Sequence, residues 1–145
     1  MAKPLLVIAN HQSGSFTTNV DTVKASLDKY GIKYDLKIVQ TLPGAIKAAR
    51  AASANQYDAV AVFGGDGTVL NVIKQLVDRH LPVLVLPGGS ANSLAVTIEP
   101  VLTIDDILKL YANGSYVIRH MQLGERDGEP LVLDAHYGIL AQSMV

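Results

Sequence analysis

The chain has 145 residues, enough for one ordinary domain that buries about 70% of the surface its unfolded form exposes, and too few for a second independent core. Hydrophobic residues at 49% exclude a disordered chain, and 12 Lys+Arg against 13 Asp+Glu exclude the basic excess that nucleic acid or an anionic membrane would need. Zero cysteines exclude disulfides, thiolate metal sites and a cysteine nucleophile.

The N-terminal apolar run ends by Ala9, too early for a signal peptide, and no span reaches the roughly 18 apolar residues of a membrane helix. The expectation is a soluble cytoplasmic protein that touches membranes only at their periphery. Leu5 to Ala9 reads as a buried strand, followed by the polar loop Asn10 to Ser15. Val20, Val23, Leu27 and Tyr30 recur at helical spacing, with Asp21, Lys24, Asp28 and Lys29 on the other face and Gly31 as the stop. Ile32 to Val39 predicts a second strand, and Thr41-Leu42-Pro43 turns into an alanine-rich helix running to about Ala54. Ala59 to Phe63 is a third, apolar strand. It breaks into Gly64, Gly65 and Gly67 around Asp66, with Thr68 next and a helical stripe at Val69, Val72, Ile73, Leu76 and Val77. Pro82 to Leu86 is a fourth strand, leading into Pro87-Gly88-Gly89-Ser90-Ala91-Asn92.

The repeated strand-loop-helix order predicts parallel βαβ units with right-handed crossovers, a doubly wound α/β sheet. Ligands of such sheets sit at the carboxyl ends of the strands, where Asn10 to Ser15, Thr41, Gly64 to Thr68 and Gly88 to Asn92 converge. After Pro100 the character changes. Thr103 and Asp106 have capping-box spacing, and Ile104, Ile107, Leu108 and Tyr111 give a helical stripe stopped by Asn113-Gly114. Tyr116 to Leu123 and Leu131 to Ile139, around a turn at Arg126-Asp127-Gly128, predict an antiparallel hairpin. The expected division is an α/β domain over 1–114, with 115–145 opening a second, antiparallel β domain that this chain does not contain. A lone hairpin is marginal in water, so its apolar residues are expected to fray or to pair with a second copy in a homodimer.

Three glycines around a carboxylate at a helix start favour a nucleotide phosphate site over a plain tight turn, because the backbone can approach an anion that the helix end attracts. The stretch is not a P-loop, since no Gly-Lys-Ser/Thr follows, and it lacks the spacing of a dinucleotide fingerprint. A hydrolase elbow fails because Asn92 stands where G-x-S-x-G needs glycine, so Ser90 is not read as a nucleophile. His11, His80, His120 and His136 show no metal-ligand spacing, and Asp105 and Asp106 read as carboxylates offsetting a helix dipole. Asp66 differs: a carboxylate beside phosphate implies an intervening metal ion or hydroxyl.

FGGDGTVLNVI, followed about twenty residues later by LPVLVLPGGSANSLA, resembles the catalytic domain of the diacylglycerol kinase family, which includes bacterial lipid kinases and sphingosine kinases. LLVIANHQSG is similar to that family's first strand and its N-P-x-S-G loop. The resemblance implies ATP-dependent phosphorylation of a lipid hydroxyl, with ATP and Mg²⁺ as cofactors and a lipid such as diacylglycerol as partner. It implies nucleotide contacts at Asn10, Ser13, Gly14, Thr41, Gly64, Gly65, Asp66, Gly67, Thr68, Asn71, Gly89, Ser90 and Asn92, with Asp66 as the catalytic carboxylate. It also implies that the general base lies in the second domain, so that this chain by itself binds nucleotide and phosphorylates lipid negligibly. His11 and Gln12 stand where the family usually has proline and often a basic residue, Ser90-Ala91 where Thr-Gly is common, and Asn71 where glutamate is usual. An NAD kinase-type enzyme and a non-catalytic nucleotide-sensing domain fit the same glycine turn. The Pro87 to Asn92 loop counts against the first and Asn71 favours the second.

Overall fold

The computed structural model describes residues 2–11, 16–88, 102–120 and 123–131. The elements in chain order are β1 (Leu5–Asn10), α1 (Phe16–Lys29), β2 (Tyr34–Val39), α2 (Leu42–Ala51), β3 (Ala59–Gly64), α3 (Asp66–Leu76), β4 (Val83–Pro87), α4 (Ile104–Ala112), β5 (Gly124–Arg126) and β6 (Glu129–Leu131). The first four strands pair in parallel in the order β2-β1-β3-β4. Val7 lies opposite Leu36 on one side and Ala61 on the other, and Ala61 opposite Leu84.

β1 and β3 are buried at every position, which explains why LLVIAN and AVAVFG show no polar alternation: both are inner strands with helices over both faces. Successive side chains feed opposite cores. Leu5, Val7, Ala9, Ala59, Ala61 and Phe63 meet Val23 and Leu27 of α1 and Ile107 and Leu108 of α4. Leu6, Ile8, Val60 and Val62 meet Ala45 and Ala49 of α2 and Val69, Val72 and Leu76 of α3. The fold is therefore the expected doubly wound α/β sheet. Each fully buried leucine, isoleucine or valine stabilises it by about 1.5–3 kcal/mol relative to exposure.

The alanine-rich helix ends at Ala51, short of the expected Ala54. Ala52 turns extended (φ −73°, ψ 139°), is 2% exposed and packs in the α2/α3 core. Arg79, beyond α3, donates from Nη1 to the carbonyls of Arg50 (2.7 Å) and Ala52 (3.4 Å). That cation sits where the helix end carries partial negative charge, so it fixes the stop.

α4 opens on the expected capping box. The Asp106 N–H donates to Thr103 Oγ1 and the Thr103 N–H to Asp106 Oδ2, each at 3.1 Å. Its neighbour Asp105 does more than offset a dipole: it accepts from Tyr30 OH (2.7 Å) and Ser26 Oγ (2.8 Å), and Lys29 Nζ lies 3.4 Å away, so one carboxylate ties α4 to the end of α1. The Tyr30 hydroxyl first and the Ser26 hydroxyl next hold the Asp105 carboxyl below its ordinary 3.8. The lysine matters less, because water screens an exposed pair. With the folded pKa below the unfolded one, this stabilisation is present above pH 3.8 and is lost as pH falls through the lower folded value. Asp105→Asn is thus expected to lower the melting temperature at pH 7, with the gap from the parent narrowing below pH 3.8. A gap unchanged by acid in calorimetric scans would show that the clamp does not act through charge.

Asp127 (φ 53°) and Gly128 (φ 80°) make the tight turn of the hairpin, as a two-residue loop with positive φ at both positions requires. The ladder around it is shorter than expected and pairs Gly124 with Leu131 and Arg126 with Glu129. Residues 115–120 are not strand, and 132–145 lie outside the described residues. Tyr116 stacks on Tyr111 instead (centroids 5.5 Å apart, planes at 15°), while Val117 is 82% exposed. Among the described residues β5 and β6 pair only with each other, and a lone two-stranded ladder is marginal in water.

Candidate functional site

In the order β2-β1-β3-β4 the chain runs outward from β1 to β2 and then back across to β3, so the carboxyl ends of β1 and β3 form the switch point at which such sheets open a crevice. β1 ends there with Asn10 and β3 with Gly64. Gly65 is the N-cap of α3, and the first intrahelical bond runs from the Val69 N–H to the Gly65 carbonyl at 3.1 Å. The N–H groups of Asp66, Gly67 and Thr68 have no intrahelical acceptor, and with the helix dipole they make this end attractive to an anion. Among the described residues a Cβ at Gly67 would meet no atom within 4 Å outside its own helix.

Asn10 Nδ2 donates to Thr68 Oγ1 at 2.8 Å, and both residues are buried, at 5% and 7% exposure. A buried amide and hydroxyl 58 residues apart thus bind the end of β1 to the first turn of α3. His11 continues the tie on the other side, its N–H donating to the Val39 carbonyl of β2 at 2.7 Å.

Asp66, in the first turn of α3, is partly exposed. Asn71 lies one turn further, its Nδ2 donating to the Gly67 carbonyl at 2.8 Å, so the amide is turned back on its own helix. Gln75 Nε2 repeats this to the Asn71 carbonyl at 3.3 Å, while Gln75 Oε1 accepts from Arg50 Nε of α2 at 2.8 Å. Thr41, at the carboxyl end of β2, caps α2 by accepting from the Gly44 N–H at 3.2 Å. Ser13, Gly14, Gly89, Ser90 and Asn92 lie outside the described residues.

Among the described residues no cluster of three or more His, Cys, Asp or Glu side chains could hold a metal by itself. The single carboxylate of Asp66 fits a different arrangement, in which Mg²⁺ keeps most of its water and is shared between one protein carboxylate and the ligand's own phosphates. Sequence reasoning placed Gly88 in the converging loop after β4 but did not pair it with Phe63 of β3, from whose ring a Cβ on the glycine would lie 2.7 Å. The P-G-G run was the signal, but it does not say what the glycine touches.

The family model described as "Diacylglycerol kinase catalytic domain" matches residues 4–125. A candidate lipid kinase of Streptococcus pneumoniae serotype 4 (strain ATCC BAA-334 / TIGR4) is 37% identical over 103 residues, 67% of this chain and 34% of the relative. A crystal structure of a diacylglycerol kinase from Bacillus anthracis str. Sterne has the same fold, with a TM-score of 0.70 at 22% identity over 88% of this chain and 45% of the other. A second structure from that organism gives 0.70 and 22%, covering 47% of its own chain. The chain thus spans about a third of the length of the relative and under half of the structures.

Proposed function

This chain belongs to the diacylglycerol kinase catalytic-domain family, and from that premise we propose that it is the nucleotide-binding part of an ATP-dependent lipid kinase. Residues 1–114 form the nucleotide domain in this reading and 115–145 begin a second, β-rich one. The observation that carries it is the buried Asn10–Thr68 bond at the switch point, which holds the anion-attracting end of α3 between β1 and β3. Bound there, ATP supplies the γ-phosphoryl group and Mg²⁺ the positive charge that offsets it. The N–H groups of Asp66, Gly67 and Thr68 hold the phosphate chain, Asp66 carries the metal, and Asn10 keeps the turn at its height. Ser13, Gly14, Thr41, Gly89, Ser90 and Asn92 complete the nucleotide contacts, with a lipid hydroxyl such as that of diacylglycerol as acceptor. Phosphoryl transfer needs mainly positioning and charge stabilisation, which such a site provides. No helix among the described residues is long and apolar enough to cross a membrane.

Calorimetric titration with ATP in Mg²⁺ tests the nucleotide half, and transfer of labelled phosphate from ATP to diacylglycerol or sphingosine in detergent tests the acceptor half. Absence of ATP binding defeats the whole reading; binding with negligible lipid labelling is the expected result for this chain by itself, and robust labelling would place a general base within these residues. Asp66→Asn keeps the shape and removes the charge, so ATP affinity in the variant is expected to depend much less on Mg²⁺ than in the parent. An equal dependence in both proteins would show that Asp66 does not carry the metal.

A further inference from the structure

β2 stands at one end of the order β2-β1-β3-β4, so among the described residues it pairs only with β1. The Leu5 N–H donates to the Lys33 carbonyl at 2.8 Å, and the His11 N–H to the Val39 carbonyl at 2.7 Å. Odd-numbered residues from Lys33 to Val39 thus turn their backbone groups toward β1, and by the alternation of a strand Tyr34, Leu36 and Ile38 turn theirs outward. Tyr34 and Leu36 lie partly buried against the α1 and α4 core, while Ile38 is 50% exposed. Asp35 and Lys37 are exposed on the opposite face. Asp35 Oδ2 accepts from the Tyr57 hydroxyl at 3.1 Å, and Lys37 makes no ion pair among the described residues.

We propose that two copies of this chain join along β2, antiparallel, about a two-fold axis at Leu36. Outward-facing residues pair with outward-facing ones, so the register can shift only in whole steps of the alternation. With the axis at Leu36, Tyr34 faces Ile38 of the second copy and Asp35 faces its Lys37, each pair occurring twice by symmetry. With the axis at Asp35 the two Asp35 carboxylates would face each other and Lys33 would face Lys37. With the axis at Lys37 the two Lys37 ammonium groups would meet. Only the Leu36 register sets opposite charges across from one another, and it does so at the closer, non-hydrogen-bonded spacing. Charges on an edge strand usually keep other strands away. Here opposite signs two residues apart make the strand complementary to itself. The same register covers the exposed Ile38 with the Tyr34 ring of the second copy, an aromatic and β-branched cross-strand pair. Antiparallel joining sends the carboxyl strand ends of the two copies to opposite edges of one continuous sheet, so the dimer does not depend on the nucleotide reading.

The experiment is sedimentation velocity over a range of protein concentrations, with every variant checked for folding by its circular-dichroism melt. The parent is expected to dimerise. Asp35→Lys and Lys37→Asp each place like charges opposite one another twice, and each is expected to weaken the dimer on the order of 10-fold. An equimolar mixture of the two is expected to regain it, since each variant then meets the opposite charge on the other. The double variant Asp35→Lys/Lys37→Asp is expected to dimerise with itself for the same reason. Should Asp35→Lys not fold for want of the Tyr57 bond, Lys37→Asp carries the test through salt. Added salt screens exposed charges, so it is expected to weaken the parent dimer and strengthen that of Lys37→Asp, and the same response in both overturns the register. A parent that stays monomeric throughout, or charge variants that dimerise as it does, overturns the inference. So does a mixture that associates no better than the single variants.

Discussion

Gly65→Val is expected to weaken ATP binding on the order of 100-fold, the loss of about two charge-assisted hydrogen bonds, while the domain keeps its fold. Gly65 caps α3 with φ −73° and ψ 172°, an extended conformation open to any residue, so valine imposes no backbone strain. Glycine there makes no side-chain cap bond. The stability cost is therefore confined to a poorer N-cap residue, about 1 kcal/mol. The branched side chain instead crowds the approach to the first-turn N–H groups, which a phosphate has to reach within hydrogen-bonding distance. Titration calorimetry with ATP, beside a thermal melt, separates the two effects. Parent-like affinity in a folded Gly65→Val protein would mean that the turn receives no phosphate.

Asn10→Leu is expected to destabilise the domain by about 1–3 kcal/mol. Leucine is close in volume, so little cavity forms; the cost comes from a Thr68 hydroxyl that keeps its burial and loses its 2.8 Å donor. Thr68→Val removes the hydroxyl as well. In the double variant the apolar groups face each other and the orphaned oxygen is gone, so the combined loss is expected to fall short of the two single losses added together by about 0.5–3 kcal/mol. Urea midpoints of the four proteins measure this directly. Strict additivity would show that the bond does not tie β1 to α3.

The features legible in advance share one property: their partners lie within a few residues of each other in the chain. The capping box of Thr103 and Asp106, the Asp127-Gly128 turn and the glycine break after β3 all follow from local backbone chemistry. The Asp66 to Thr68 turn could be read as a candidate phosphate site for the same reason, since a helix start presents its N–H groups wherever it is placed. Length of pairing was less legible. The hairpin turn falls where expected, but among the described residues its ladder runs only from Arg126↔Glu129 to Gly124↔Leu131, and the expected first strand is not formed over residues 115–120.

Unbroken apolar runs at Leu5 to Ala9 and Ala59 to Phe63, repeated strand-helix alternation and the GGDGT turn by themselves determined a doubly wound α/β domain and pointed to a candidate anion site at its strand ends. Only the tertiary structure decided which residues meet there. Asn10 reaches Thr68 because β3, not β2, brings its following helix over the end of β1, and strand order is not written in the spacing of apolar residues. Asp105, read from its position as a dipole partner, became the clamp between α4 and α1 only once both helices lay on the same face of the sheet. Gly88 likewise lies against Phe63, 25 residues earlier and opposite Leu86 in register. Local chemistry sets what each segment can offer; the order of the strands and the faces their crossovers cover set which offers come within 3 Å of one another.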